Sequence, residues 1–256
     1  MQNKSIIITG GASGIGAATV LLAASKGAHV TIADLDRSAG EALRDQVVAQ
    51  GGKAQFVATD IADEAQVRAM VDAAVATYGR LDGAFNNAAI PGYSHQPNVE
   101  TVHFADLPLS AFVRSLTVNA VGTFLCMKYE LQAMLVSGGG SIVNTSSIAG
   151  ILALEAAADY VAAKHAVIGL TKAAALDYAR KNIRVNAVLP GVVRTQMMEA
   201  SFAENPELIE WTSSMQPIGR IGMPVEIAEA AVWLLSDAAS LVTGISMPVD
   251  GGFSMV

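Results

Sequence analysis

The chain has 256 residues, of which 52% are apolar and 15% charged, a length that fits one α/β domain and a composition that excludes intrinsic disorder. Sixteen basic against 23 acidic side chains give a net charge of −7 and a pI near 5.0. The basic surface that nucleic acids or anionic membranes require is therefore missing, and neither is expected as a partner.

Mean hydropathy is +0.41, yet the apolar residues come in short runs broken by Asp, Lys, Asn or Gly, and none approaches the ~20 residues of a spanning helix. Only three isoleucines precede the first glycine, too few for a signal-peptide core, so the amino terminus reads as a first strand. Cys126 is the sole cysteine; no internal disulfide is available, no Cys/His cluster has metal-ligand spacing, and a reducing cytoplasm without a metal cofactor is expected.

In chain order, β-branched runs predict strands near Ser5–Thr9, His29–Ala33, Ala54–Thr59, Gly83–Asn86, Ser141–Thr145, Arg184–Leu189 and Met247–Val249. Between them, helical spacing predicts helices near Ile15–Lys26, Arg37–Gln50, Glu64–Tyr78, Ser110–Ser137, Tyr160–Lys181 and Val225–Ser236. This alternation points to a doubly wound, seven-stranded parallel sheet with helices on both faces and a ligand site at the carboxyl ends of the strands. No linker or repeat marks a second domain, so residues 1–256 read as one Rossmann-type unit. Two stretches break the rhythm: the irregular loop Pro91–Pro108, longer than ordinary connections, and Gln196–Gln216. The second is rich in Met197, Met198, Phe202, Leu208, Ile209, Trp211 and Met215 and is expected to form a flexible, apolar substrate lid.

Thr9-Gly-Gly-Ala-Ser-Gly-Ile-Gly16 follows a strand and opens a helix, so its N–H groups and the helix dipole converge where a pyrophosphate would sit. Gly10, Gly14 and Gly16 suit a tight turn and close packing; glycine clusters also serve purely structural turns. Asp34 stands eighteen positions after Gly16, near the offset at which an acid meets an adenosine ribose. Its plainer role is a helix N-cap, which Asp36 supplies equally well. Arg37, the nearby cation, is expected to turn toward solvent.

Tyr160-Val-Ala-Ala-Lys164 places a phenol and an ammonium one helical turn apart. A cation beside the phenol favours the phenolate and is expected to lower its pKa toward a working range for acid–base chemistry; the bland reading is a surface pair. Ser147 falls at the end of the fifth predicted strand, where such sheets collect active-site groups, although serines there also cap turns. His29, His95, His103 and His165 are scattered and take no catalytic role, Cys126 reads as core packing, and Arg194 and Arg220 read as solvated or structural.

Taken in order, these motifs resemble the short-chain dehydrogenase/reductase family over essentially the whole chain. Thr9-Gly10-x-x-x-Gly14-x-Gly16 matches its cofactor turn, Asp60-Ile61 its adenine-contact dipeptide, and Asn86-Asn87-Ala88-Ala89 its Asn-Asn-Ala-Gly segment with alanine in the last place. Asn119 matches its helix asparagine, Ser147 precedes Tyr160 by the usual thirteen positions, and Pro190-Gly191-Val-Val193-Arg-Thr195 matches its nicotinamide-contact segment.

The resemblance implies a catalytic set of Asn119, Ser147, Tyr160 and Lys164. Tyr160 exchanges a proton with the substrate oxygen, Ser147 polarises that oxygen, Lys164 tunes the phenol and binds the nicotinamide ribose, and Asn119 supports a proton path. It implies cofactor contacts from Gly10, Ser13, Gly14, Ile15, Gly16, Asp34, Asp60, Ile61, Asn87, Ala88, Tyr160, Lys164, Pro190, Gly191, Val193 and Thr195, and a homotetramer.

The expected activity is NAD-dependent interconversion of an apolar or cyclic secondary alcohol and its ketone. A 3-oxoacyl-carrier-protein reductase is the alternative, but it looks for basic residues where this chain has Ser13 and Asp34. A non-enzymatic dinucleotide sensor on the same fold is disfavoured by the complete Ser147, Tyr160, Lys164 set.

Overall fold

The computed structural model describes residues 1–96, 99–195 and 207–255. Seven parallel strands form its sheet: β1 (Ser5–Thr9), β2 (His29–Asp34), β3 (Lys53–Ala58), β4 (Gly83–Asn86), β5 (Gly140–Thr145), β6 (Ile183–Pro190) and β7 (Ser246–Val249). Their order, β3-β2-β1-β4-β5-β6-β7, reverses direction between β1 and β4, the place where doubly wound sheets leave a crevice beyond their carboxyl ends.

The helices are α1 (Gly14–Ser25), α2 (Arg37–Ala49), α3 (Glu64–Tyr78), α4 (Leu109–Leu116), α5 (Thr123–Ser137), α6 (Ala158–Tyr178), α7 (Glu207–Ser214) and α8 (Pro224–Leu235). Local chemistry explains their ends. Asp36 caps α2 by accepting the Ala39 N–H (3.0 Å), and Asp63 caps α3 by accepting those of Ala65 and Gln66. Gly79 and Gly138 close α3 and α5 in the left-handed region, and Pro224 occupies the first turn of α8.

Strand alternation splits the core between the two faces. Ile6 and Ile8 pack with Val20 of α1, Leu43 of α2 and Val232 and Leu235 of α8. Ile7, between them, points the other way, toward Met70 and Val71 of α3, Leu131 and Met134 of α5, and Ala174 of α6. The predicted strands and helices thus sit on two fully covered faces, as the near-continuous apolar runs require.

Three features depart from the sequence reading. The helix expected over Ser110–Ser137 contains a π segment, Thr117–Gly122, between α4 and α5. It belongs to a continuous helical stretch, Leu109–Ser137, that by length and composition alone suffices to cross a membrane, contrary to the expectation that no stretch does. The charged residues are too sparse there to break it, but its inner face is core: Leu125, Cys126, Met127, Leu131 and Met134 are buried against the sheet side. Finally, α7 forms inside the segment read as a lid; residues 196–206 of that segment, with Met197, Met198 and Phe202, lie outside the described residues.

Candidate active site

At the crevice, the turn after β1 is held from both sides. Gly10 (φ +59°) and Gly14 (φ +52°) occupy the left-handed region, and a Cβ on Gly10 would approach the Ala88 Cα to 2.9 Å, so glycine is needed for both conformation and contact. A Cβ on Gly16 would run into the Gly10 carbonyl. The Thr9 hydroxyl accepts the N–H groups of Asn87 (3.0 Å) and Ala88 (3.2 Å), while Asn87 Nδ2 donates to the carbonyls of Thr9 and Gly10. Asn87 therefore braces the turn with its own side chain. Ala89, in the place of the resembling family's glycine, has no positive φ and carries no backbone strain.

Asp34 completes the cradle at the end of β2. Its Oδ2 accepts the Ala12 N–H (2.9 Å) and its Oδ1 the Asp36 N–H (3.0 Å), and each oxygen keeps a further lone pair. The cap of α2 belongs to Asp36, which leaves Asp34 tied to the glycine turn. Arg37, three residues on, pairs with Glu41 (3.1 Å) and lies over the Phe56 ring, so it is already engaged on the helix surface.

Ser13 caps α1 without a side-chain hydrogen bond, and no acid occupies the first turn, so the helix amino terminus and the Ser13 hydroxyl are both available to an anion. This arrangement fits the pyrophosphate of a dinucleotide. Ile15 packs on the core beneath the turn. Asp60 is spent partly on its own turn, accepting the Ala62 N–H (2.9 Å), and Ile61 is buried against Gly122.

The segment after β6 returns over the same turn. A Cβ on Gly14 would lie 3.5 Å from Thr195 Cγ2, which brings Thr195 to the glycines. Pro190 ends β6, the Gly191 N–H donates to the Val249 carbonyl (3.3 Å), and Val193 bridges to Gly222. Gln216, which the sequence reading missed as a structural residue, clamps this segment. Buried at 2% exposure, its amide accepts the Val192 N–H (3.2 Å) and donates to the carbonyls of Val192 and Arg220. Arg220 itself forms a two-pronged pair with Glu226 (2.8 and 2.6 Å).

The reactive groups lie across the crevice on α6 and the end of β5. Lys164 is 2% exposed, which removes the surface-pair reading. Its Nζ donates to the Thr145 carbonyl (2.9 Å) and stands 5.5 Å from the centre of the Tyr160 ring. Burial pulls the ammonium pKa down to about 8. Burial also raises the Tyr160 phenol above its ordinary 10, opposed by a hydrogen bond with Ser147.

The expected lowering of the phenol is thus not found in the protein alone, because desolvation of the anion outweighs the hydrogen bond from Ser147. Ser147 has two duties: it bonds Tyr160, and its Oγ accepts the Ala149 N–H (3.2 Å), capping the turn Ile148–Gly150.

Asn119 lies in the π segment, 1% exposed. Its Oδ1 accepts the Ile90 N–H (2.9 Å) while Nδ2 donates to the Ile90 carbonyl (3.1 Å) and to Ser115 Oγ (3.3 Å). It therefore ties the irregular helix to the loop after β4, and that loop walls an apolar cavity of about 190 Å³ bounded by Ala89–Gly92, His95, Leu154, Ala157 and Tyr160. π segments of this kind recur at functional sites because the extra residue re-aims a side chain.

Below the site, Asn86 and Asn144 are opposite residues of β4 and β5. Asn86 Nδ2 donates to Asn144 Oδ1 (3.0 Å) and to the Glu130 carboxyl (2.9 Å), and Asn144 Nδ2 donates to Thr171 (2.9 Å). Glu130 is fully buried, and burial pushes its pKa up to about 8.

Comparison with known proteins agrees with this geometry. A family model described as "Enoyl-(Acyl carrier protein) reductase" matches residues 10–254. The 2,5-dichloro-2,5-cyclohexadiene-1,4-diol dehydrogenase of Sphingobium indicum is 49% identical, covering 100% of this chain and 99% of the relative. The cyclohexanol dehydrogenase of an Acinetobacter strain is 44% identical, covering 99% and 96%. The crystal structure of levodione reductase superposes with a TM-score of 0.93 at 35% identity, covering 100% of this chain and 99% of that one. With the glycine turn, the doubly wound sheet and the Ser147, Tyr160, Lys164 constellation in place, the chain belongs to the short-chain dehydrogenase/reductase family and is an oxidoreductase of CH–OH groups that uses a nicotinamide dinucleotide.

Proposed function

We propose that the protein is an NAD-dependent dehydrogenase that interconverts a small cyclic secondary alcohol and its ketone. The observation that carries this reading is that Tyr160, hydrogen-bonded to Ser147 and with the buried Lys164 ammonium 5.5 Å from its ring centre, lines an apolar cavity of about 190 Å³. That volume is below the ~300–1,000 Å³ of pockets for drug-sized ligands, so a single ring suits it better than a steroid or a long acyl chain. The names of the relatives, a cyclohexadienediol dehydrogenase and a cyclohexanol dehydrogenase, support the same substrate class.

When bound, the dinucleotide supplies a hydride acceptor or donor. The chain's residues manage the proton. Tyr160 exchanges it with the substrate oxygen, Ser147 donates to that oxygen, and Lys164 stabilises the phenolate and reaches the nicotinamide ribose. Asn119 fixes the cavity wall through Ile90 and supports the proton's route outward. Gly10, Ser13, Gly14, Ile15 and Gly16 form the pyrophosphate cradle, braced by Asn87 and Ala88, with Asp34 on the adenosine ribose and Asp60 and Ile61 beside the adenine. Pro190, Gly191, Val193 and Thr195 border the nicotinamide. Residues 196–216 act as the substrate lid of one catalytic domain.

The chain assembles as a homotetramer, supported by exposed apolar residues on α4, α5 and α6. It works in the cytoplasm, which the lone buried Cys126 suits.

A substrate panel followed by reduced-nicotinamide absorbance tests the reading: cyclohexanol, an aliphatic secondary alcohol, a hydroxysteroid and an acyl thioester, each with NAD and NADP. Cyclohexanol with NAD should show the highest kcat/KM. Faster turnover of the acyl thioester would instead favour the acyl-carrier chemistry in the family model's description.

A further inference from the structure

Among the described residues that bound the cavity, Tyr160 and His95 alone bring hydrogen-bonding side chains; the other described residues of the wall offer aliphatic side chain or backbone. Tyr160 is committed to the reacting oxygen, and the second polar group has no part in that chemistry.

His95 is held in place by a small built structure. It ends the single 3₁₀ turn Tyr93–His95, closed by its N–H to the Gly92 carbonyl (3.0 Å). Asp159, in the first turn of α6 and 1% exposed, fixes that turn by accepting the Tyr93 N–H through Oδ2 (2.9 Å). Its other oxygen, Oδ1, is buried and has no hydrogen-bond partner among the described residues. A Cβ on Gly92 would stand 3.1 Å from Tyr160 Cβ, 3.3 Å from that same Asp159 Oδ1 and 3.5 Å from His95 Nδ1.

The bare glycine therefore lets a buried acceptor, the imidazole Nδ1 and the root of the reactive tyrosine converge on one point. A buried carboxylate oxygen without a donor is costly, so Asp159 is committed to the one bond it makes, to the Tyr93 N–H. The unprotonated nitrogen of a neutral imidazole is an acceptor, and the exposed His95 side chain meets the cavity rim.

We infer that His95, carried on the turn that Asp159 fixes through Tyr93, binds a second hydroxyl of the substrate, so that the preferred ring is a diol or hydroxyketone carrying one oxygen at Tyr160 and another at the rim. This rests on the alcohol dehydrogenase reading above and narrows its substrate. Neither the reacting bond nor the proton route involves His95; it is a specificity-determining residue.

The test compares kcat/KM for cyclohexanol, cyclohexane-1,3-diol and cyclohexane-1,4-diol with NAD in wild type, His95→Leu and His95→Gln. The hydrogen bond predicts that His95→Leu lowers the diol-to-cyclohexanol ratio by about three- to tenfold for at least one diol, whatever change the altered wall makes to cyclohexanol itself. The glutamine variant, which keeps a hydrogen-bonding end, retains more of the ratio. Unchanged ratios for both diols, or equal losses on all three substrates, would overturn the assignment.

Turnover of none of the three by wild type would reject the activity reading alone. In that case, calorimetric titration of the diols into the NAD-saturated protein, wild type against His95→Leu, still decides the role of His95: weaker diol binding by the variant supports it and equal binding refutes it.

Discussion

Tyr160 and Lys164 illustrate how burial sets the working state of two neighbours. Desolvation raises the phenol and pulls the ammonium down to about 8, so near neutrality the phenol is protonated and ready to donate. Tyr160→Phe removes that proton with little change in volume and should lower kcat by about 10²- to 10⁴-fold, while the cofactor dissociation constant stays within about twofold; steady-state kinetics and a fluorescence titration of NADH read the two quantities. A variant that retained more than half of wild-type kcat would remove Tyr160 from the chemistry.

Asp34 is the residue expected to set the cofactor preference. A 2′-phosphate beside it would face a carboxylate, at a cost per unit charge of roughly 1 kcal/mol in water and about 4 kcal/mol at an effective dielectric of 20 for a 4 Å separation. NAD should therefore be favoured over NADP by about tenfold to several hundredfold in kcat/KM. Arg37 offers no ready compensation, being paired with Glu41. Asp34→Ala should move the preference toward NADP and, because it strips the Ala12 N–H of its acceptor, should also lower stability by about 1–3 kcal/mol. Equal use of both cofactors by wild type would show that Asp34 does not set the choice.

At the scale of elements, Glu130 of α5 is a fully buried carboxyl group that accepts a hydrogen bond from Asn86 of β4. Its pKa is 4.5 in the open chain and about 8 when buried. The folded protein therefore keeps a proton that the unfolded chain releases as pH rises from 4.5 to 8, and stability falls over that window by up to about 1.4 kcal/mol per unit. Glu130→Gln preserves the shape and a partner for Asn86 without the titration. Its Tm should exceed that of wild type at pH 8 by more than at pH 5; parallel Tm curves would show that Glu130 titrates normally.

None of this was legible in the sequence, where Glu130 is one charged residue in an apolar helix and only the pairing of β4 with β5 brings Asn86 and Asn144 to it. The π segment was hidden for a related reason: one inserted residue barely disturbs an apolar periodicity, and Asn119 was found by resemblance while its bonds to Ile90 came only with the fold. The strands were readable almost to the residue because they are short, mostly apolar runs set between longer helical stretches, with β-branched residues dense in β1, β2 and β6. The eight-residue α7 was not, being too short for its spacing to stand out. The glycine turn and the Tyr160–Lys164 spacing were visible because the backbone and the helical repeat fix them locally. The clamps from Gln216, Asp159 and Thr9 connect distant segments and follow from topology.

The whole molecule leaves apolar surface that one chain does not cover. Leu109 and Val113 of α4, Val121 of the π segment and Phe124 of α5 are 75%, 50%, 46% and 48% exposed, and Leu176 of α6 is 84% exposed. A second group lies near the carboxyl end, with Trp233 at 40%, Leu241 at 98% and Ile245 at 42%. Large side chains left in water on two separate regions suit two self-complementary contacts, and two distinct two-fold interfaces generate a tetramer. Light scattering at micromolar concentration should therefore report about four times the 26.4 kDa chain mass. Phe124→Glu would place a charge in the first of these contacts and should yield a smaller species that still binds NADH, since Phe124 is remote in sequence from the glycine turn and faces solvent. A 26.4 kDa wild-type particle would refute the assembly, and an unchanged mass for Phe124→Glu would move the interface away from α5.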